Sequence, residues 1–170
     1  MSERGDQLDR LIRAELPLLY RVAKHLVSSA ALAEDLVGAT LFKACRAFPQ
    51  VDGRHPRAWL IKILRNEANQ HFRKRSSTEV ELDDAEIGQT PHPEAEYFKQ
   101  LELSQILETM QTLSADSMMI LVLCDIEELP YLEVADALEI PIGTVASRLR
   151  RARLKLKNKL ERIGIRGEFR

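Results

Sequence analysis

Apolar residues recur every three or four positions along almost the whole chain. A helix repeats every 3.6 residues and a strand every two, so this spacing restricts the chain to helices packed on helices. Leu8, Leu11, Ile12, Leu19, Val22, Ala23 and Leu26 make the first stripe. Pro17 falls inside it and lacks a backbone donor, which predicts a kink or a fresh start there. Ser29 is placed to cap a second helix over 30–47, with Leu32, Leu36, Leu41 and Ala44 inward. Pro49 and Asp52-Gly53 supply turn chemistry, and Pro56 suits the first position of a third helix. That helix carries Trp59, Leu60, Ile63, Leu64 and Phe72 on its apolar side, a spacing that favours a core role for Trp59, and it ends near Arg73-Lys74-Arg75.

Residues 76–93 have the composition of a mobile linker, acidic and closing on Thr90-Pro91-His92-Pro93. A second helical block follows. Phe98, Leu101, Ile106, Leu107 and Met110 form one stripe, and Ser114 is placed to cap a helix reaching Glu127 that carries Met118, Ile120, Leu121 and Leu123. A short amphipathic helix over 129–138 contains Tyr131, Val134, Ala135 and Leu138, and a turn at 139–142 leads into a last helix over about 143–160. The expected fold is all-α: two small helical domains, 1–75 and 94–170, joined by a flexible acidic linker.

Composition narrows the function. In 170 residues, 45% hydrophobic content is enough for a buried core. Two cysteines exclude a disulfide scaffold and a four-cysteine zinc site, and Cys45 and Cys124, in apolar helical contexts, read as buried inert thiols. Four histidines without ligand spacing give no reason to assign a metal. Neither a membrane-length apolar run nor a secretory pattern in MSERGDQLDR is present, so a cytoplasmic protein without direct membrane insertion is expected. Asp83-Asp84 and Glu94 with Glu96 lie among no pocket-forming residues, so neither enzymatic activity, a cofactor nor a small-molecule substrate is assigned.

The net charge of −1 conceals a sorted pattern. Residues 54–75 hold seven bases against Glu67 alone, a net of +6; residues 76–97 hold seven acids and no Lys or Arg. Residues 143–170 hold ten bases against Glu161 and Glu168, a net of +8. Two basic blocks around an acidic one suggest two surfaces for a polyanion. The second block has more specific meaning. A short helix, a tight turn and an Arg-rich helix describe a helix-turn-helix. Val134, Ala135 and Leu138 would hold the second helix at a steep angle, with Ala135 and Gly143 as the small residues at the crossing. Val145, Leu149 and Ala152 would face inward, and Ala146, Ser147, Arg148, Arg150 and Arg151 outward. Arg can pair with guanine edges in the major groove, while Lys155, Lys157 and Lys159, further along, suit phosphates.

From Asp125 to Arg153, through Leu129-Pro130-Tyr131-Leu132-Glu133-Val134-Ala135 and Gly143-Thr144-Val145-Ala146-Ser147-Arg148, the chain resembles the C-terminal domain of extracytoplasmic-function (group 4) sigma factors of the sigma-70 family. Ala33-Glu34-Asp35-Leu36 followed by Leu41-Phe42-Lys43-Ala44 is similar to their second helix, and Trp59-Leu60-Ile61 with Arg65-Asn66 to their promoter-melting helix. The resemblance implies a transcription initiation factor that binds core RNA polymerase and promoter DNA. It implies that Asp35, Leu36, Thr40, Leu41 and Arg46 dock on the polymerase clamp. The loop at 51–55, with Asp52, Gly53 and Arg54, would hold a base flipped from the minus-ten strand, and Arg57, Lys62, Arg65, Asn66 and Arg73 would line the strand's groove. Thr144, Ala146, Ser147, Arg148, Arg150, Arg151, Arg153 and Lys155 would read the minus-thirty-five element. An anti-sigma factor, often membrane-anchored in this family, would wedge between the domains. The free protein is expected to be a monomer with loosely fixed domain orientation.

The chain departs from the family where Gly38 and Ala39 replace the usual Gln and acid, where Cys45 stands for a frequent aromatic, and where Ala146 offers no hydrogen bond. Two other readings use the same helices. A sigma-like mimic would sequester an anti-sigma factor without DNA-facing cations, which this chain keeps. A helix-turn-helix repressor would dimerise on a palindrome.

Overall fold

The computed structural model describes residues 3–27, 29–47, 55–77 and 94–165. Asp52, Gly53 and Arg54, most of the expected linker, and the side chains of Phe98 and Leu101 lie outside the described residues. Among those described there is no strand; the fold is all-α, in two helical domains. The first holds α1 (Glu3–Leu26), α2 (Ala30–Ala47) and α3 (Pro56–Ser77). The second holds α4 (Glu94–Gln111), α5 (Ala115–Leu121), a π-helical turn (Val122–Ile126), α6 (Tyr131–Leu138) and α7 (Ile142–Arg162).

The helix starts follow local chemistry. Ser29 caps α2, its hydroxyl accepting from the Leu32 N–H at 3.1 Å, and Ser114 caps α5 by accepting from the Ser117 N–H at 3.4 Å. Pro56 opens α3 where its missing N–H costs nothing. The Pro17 expectation of a fresh start is not met: α1 runs unbroken through it. Leu18, Leu19, Val22, Ala23 and Leu26 are all buried on that helix, and tertiary burial offsets the lost backbone hydrogen bond.

α3 is buried more widely than its own pattern implies. Leu60 and Leu64 are inaccessible as expected, but so is Ile61, and Ala58 and Ala68 are buried too. The cause is tertiary, because α3 packs against α1 and α2 on one side and against α6 and α5 on another. The buried residues form one continuous cluster from α1 through α3 into α5–α7, where Met118, Met119, Ile120, Val122 and Leu123 are inaccessible or nearly so. Each such aliphatic side chain contributes roughly 1.5–3 kcal/mol by leaving water. The loose orientation expected between the domains is therefore replaced by a packed contact.

Candidate nucleic-acid interface

The helix-turn-helix is built by α6, the turn after it and α7. Val134, Ala135, Ala137 and Leu138 are buried on α6, and Val145, Leu149, Ala152, Leu156 and Leu160 on α7. Heptad-like spacing on α7 turns its remaining positions outward. Ala146, Arg148, Arg150, Arg151 and Lys155 are exposed, while Thr144 and Ser147 are half-buried, the Ser147 hydroxyl donating to the Thr144 carbonyl at 3.0 Å. Arg148 and Arg150 make no ion pair with any described residue, and Arg151 donates only to the Ser147 carbonyl. Tyr131 lies outward on α6. Gly143 is no crossing point either: a Cβ there would meet nothing within 4 Å.

Arg153 differs from the other α7 cations. It grips Asp125 in the π-helical turn with two hydrogen bonds, Nε donating at 2.9 Å, and this pairing raises its pKa. The π turn is itself closed by the Glu127 N–H donating to Val122 O at 2.9 Å, an i to i+5 bond. Arg153 thus fixes the connection between α5 and α6. Lys159 likewise turns away from phosphate duty, donating to Thr112 Oγ1 at 2.8 Å.

The cations of α3 are in a different state. Arg57 Nε donates to Glu15 Oε2 at 2.8 Å, with Glu133 Oε2 3.5 Å from its Nη1. Lys62 Nζ is 2.7 Å from Glu139 Oε1; Arg65 Nη2 is 3.5 Å from Glu139 Oε2, and its Nη1 donates to the Ala137 carbonyl at 3.4 Å. His55 lies 3.4 Å from Asp136. Hydrogen bonding from Lys62 holds the Glu139 carboxyl below its ordinary pKa, and the Glu15 carboxylate raises that of Arg57. Glu139 is unusual in its backbone as well, with φ +55° and ψ 45° just past the end of α6, where helices usually place glycine. A non-glycine residue there costs roughly 1–2 kcal/mol. Arg65 Nε and Glu133 Oε2 are buried without a hydrogen-bond partner. Each such group costs about 1–3 kcal/mol, so the polar part of this contact is incompletely satisfied.

Sequence reasoning missed the acids that hold these cations. Their signal is visible: Glu133, Asp136 and Glu139 recur every three residues, one stripe along α6 and its end. Asn66 and Arg73, by contrast, are exposed and line a groove of about 850 Å³ between α2, α3 and the start of α5, together with Trp59, Ile63, Phe72 and Asp116. Half-buried Trp59 belongs both to the core margin and to this groove.

On α2, the structure separates the expected docking residues. Asp35 and Arg46 are exposed and Leu41 is half-buried. Leu36 and Thr40 are core residues: Thr40 is inaccessible and its hydroxyl donates to the Leu36 carbonyl at 2.7 Å, so neither offers a side chain to a partner. The residue missed there is Phe42, 63% exposed, with the Arg46 guanidinium 5.6 Å from its ring centre. Gly38 lies on the exposed side, with open space around it. Cys45 is exposed and Cys124 half-buried, so the expectation of two buried thiols fails for Cys45; burial pushes the Cys124 thiol up to about 11.

Comparison with known proteins bears on this arrangement. Residues 11–78 match the family Sigma-70 region 2, and residues 103–156 match Sigma-70, region 4. EcfG, an extracytoplasmic-function RNA polymerase sigma factor of Rhodopseudomonas palustris, is 33% identical over 89% of this chain and 83% of its own length. The chain belongs to the extracytoplasmic-function sigma factors. The SigE factor of Mycolicibacterium smegmatis is 29% identical over 92% of this chain, which spans 64% of that protein. Among solved structures, the sigma factor RpoE of Bartonella quintana, in complex with the anti-sigma factor NepR, aligns with a TM-score of 0.69 at 29% identity, over 91% of this chain and 97% of RpoE. CnrH, solved with the cytosolic domain of CnrY, shares the fold at a TM-score of 0.67 and 23% identity, over 93% of this chain and 90% of CnrH. Promoter direction is the work of this family.

Proposed function

We propose that the chain is a group 4 sigma factor of the cytoplasm that divides promoter recognition between its two domains. In this reading residues 1–75 bind core polymerase and the minus-ten element, 76–93 link, and 94–170 bind the minus-thirty-five element. The observation that carries it is the outward face of α7, where Arg148, Arg150 and Arg151 stand exposed on a helix whose inward face locks it to α6. A helix so held presents its cations to a major groove without rearrangement, for base edges or phosphates. Thr144, Ala146, Ser147 and Lys155 complete that face, while Arg153 orients the helix through Asp125.

On the first domain, Asn66 and Arg73 with Trp59 offer polar, cationic and aromatic groups in one groove, which suits a separated strand with an unstacked base. Arg57, Lys62 and Arg65 extend the cationic surface along α3. The exposed α2 face of Asp35, Phe42 and Arg46 is the docking surface for core polymerase. Covalent chemistry belongs to the polymerase. An anti-sigma factor is the expected regulator, a reading supported by the likeness to a sigma factor solved with one.

The test is run-off transcription with core RNA polymerase from the source organism, on the promoter upstream of this gene. Transcript that requires the protein, and disappears in R148A/R150A/R151A, is the expected result. No transcript and no co-elution with core polymerase would overturn the reading in favour of a mimic.

A further inference from the structure

We propose that the acidic stripe of α6 acts as an internal stand-in for nucleic-acid phosphates, so that the chain occupies its own strand-binding helix until a separated strand displaces α6. This rests on reading α3 as the strand-binding helix. Each of the three α3 cations at this contact meets a carboxylate of the second domain: Arg57 at Glu133, and Lys62 and Arg65 together at Glu139. One carboxylate between two cations is the arrangement a bridging phosphate would take. His55, at the entrance to α3, faces Asp136 of the same stripe.

Two further observations indicate a contact made to part. Glu139 stands in a left-handed backbone conformation at the end of α6, where a non-glycine residue is strained. Arg65 Nε is buried without a hydrogen-bond partner, a donor position that a phosphate oxygen would fill. The start of α5 adds to the occlusion, because Asp116 lines the same groove as Asn66 and Arg73 and places a negative charge there. A polyanionic strand entering the groove therefore meets an acid from the second domain, and finds the neighbouring cations already bridged. The outward arginines of α7 face no such competitor, so duplex binding through α7 can precede strand capture by α3.

The experiment uses the full chain and a fluorescein-labelled single-stranded oligodeoxynucleotide of mixed sequence, at low salt. Glu139→Gln removes the bridging charge; Glu108→Gln removes one exposed charge from α4. The expected result is that E139Q binds the strand about fivefold more tightly than the unaltered chain and E108Q within about twofold. Equal gains for both variants would overturn the proposal. No binding by any of the three removes the strand-binding reading of α3, and the proposal with it. Hydrogen exchange on the unaltered chain gives a second measurement, independent of how E139Q folds. Addition of the oligonucleotide should lower protection in Tyr131–Leu138, whereas unchanged or raised protection would overturn the displacement.

Discussion

The two basic helices of this sigma factor carry similar charge and stand in opposite states. On α7, Arg148 and Arg150 are exposed without an ion-pair partner among the described residues. On α3, Arg57, Lys62 and Arg65 are bridged to Glu15, Glu133 and Glu139. The difference lies in what packs beside each helix. α7 buries one stripe against α4, α5 and α6 and leaves Arg148, Arg150 and Arg151 to solvent, whereas α3 lies between the first domain and α6, and α6 brings acids. A cation count therefore measures a helix's capacity for nucleic acid, and its neighbours set how much of that capacity is available.

The comparison can be broken most directly on duplex DNA. R148A/R150A/R151A should lose at least about a hundredfold in affinity, since each good base contact is worth about 1–3 kcal/mol. Arg57→Ala with Arg65→Ala should lose far less, as those side chains are already engaged; equal losses in fluorescence anisotropy would mean that the α3 arginines are as available as those of α7. The next effect is on stability. Leu149→Ala removes an inaccessible anchor of α7 and should cost about 2–5 kcal/mol in urea unfolding. It should also scatter the outward arginines that depend on that anchor.

Smaller effects sharpen the same contrast. Gly38→Ala, on an exposed turn of α2 with nothing within 4 Å of the new Cβ, should stabilise the first domain by about 0.5–1 kcal/mol. A destabilised variant in thermal unfolding would show that α2 is not as open there as described. The pH dependence of the α3–α6 contact follows from Glu139, whose folded pKa lies below its ordinary value. A depressed carboxylate pKa contributes stability that is present above the ordinary value and lost as pH falls through the folded one. Protection of α6 in hydrogen exchange, corrected for intrinsic rates, should stay level from neutrality down to about pH 5 and decline only at more acid pH. An earlier decline would show that Glu139 does not set the stability of the contact. Finally, a thiol reagent at mildly alkaline pH should label exposed Cys45 well before Cys124, whose pKa of about 11 leaves little thiolate.

Much of the fold was legible because its signals are local. The Ser29 and Ser114 caps, the Pro56 start and the inward set of Val145, Leu149 and Ala152 each depend on residues within a turn or two of one another. Where the reading failed, the side chain's surroundings decided. Thr40 looked like a polar docking residue, yet its hydroxyl is satisfied by the Leu36 carbonyl, which makes it compatible with the core. Cys45 looked apolar in context and is exposed, because α2 turns that side away from α1 and α3. Phe42 lies within the Leu41-Phe42-Lys43-Ala44 motif, but its exposure follows only from how α2 lies on its neighbours.

The sequence by itself determined where the helices run, which stripe of each turns inward, that two basic blocks flank an acidic one, and that α6 and α7 make a helix-turn-helix. Helical periodicity and capping act over a few residues, so they are written in the chain directly. Only the tertiary structure decided which basic block stays available. The bonds from Arg65 to Ala137 and Glu139 join residues 72 and 74 positions apart. Coulomb attraction across that separation depends on how α3 and α6 are brought together by burial of their apolar faces, and that packing has no signature in either segment alone.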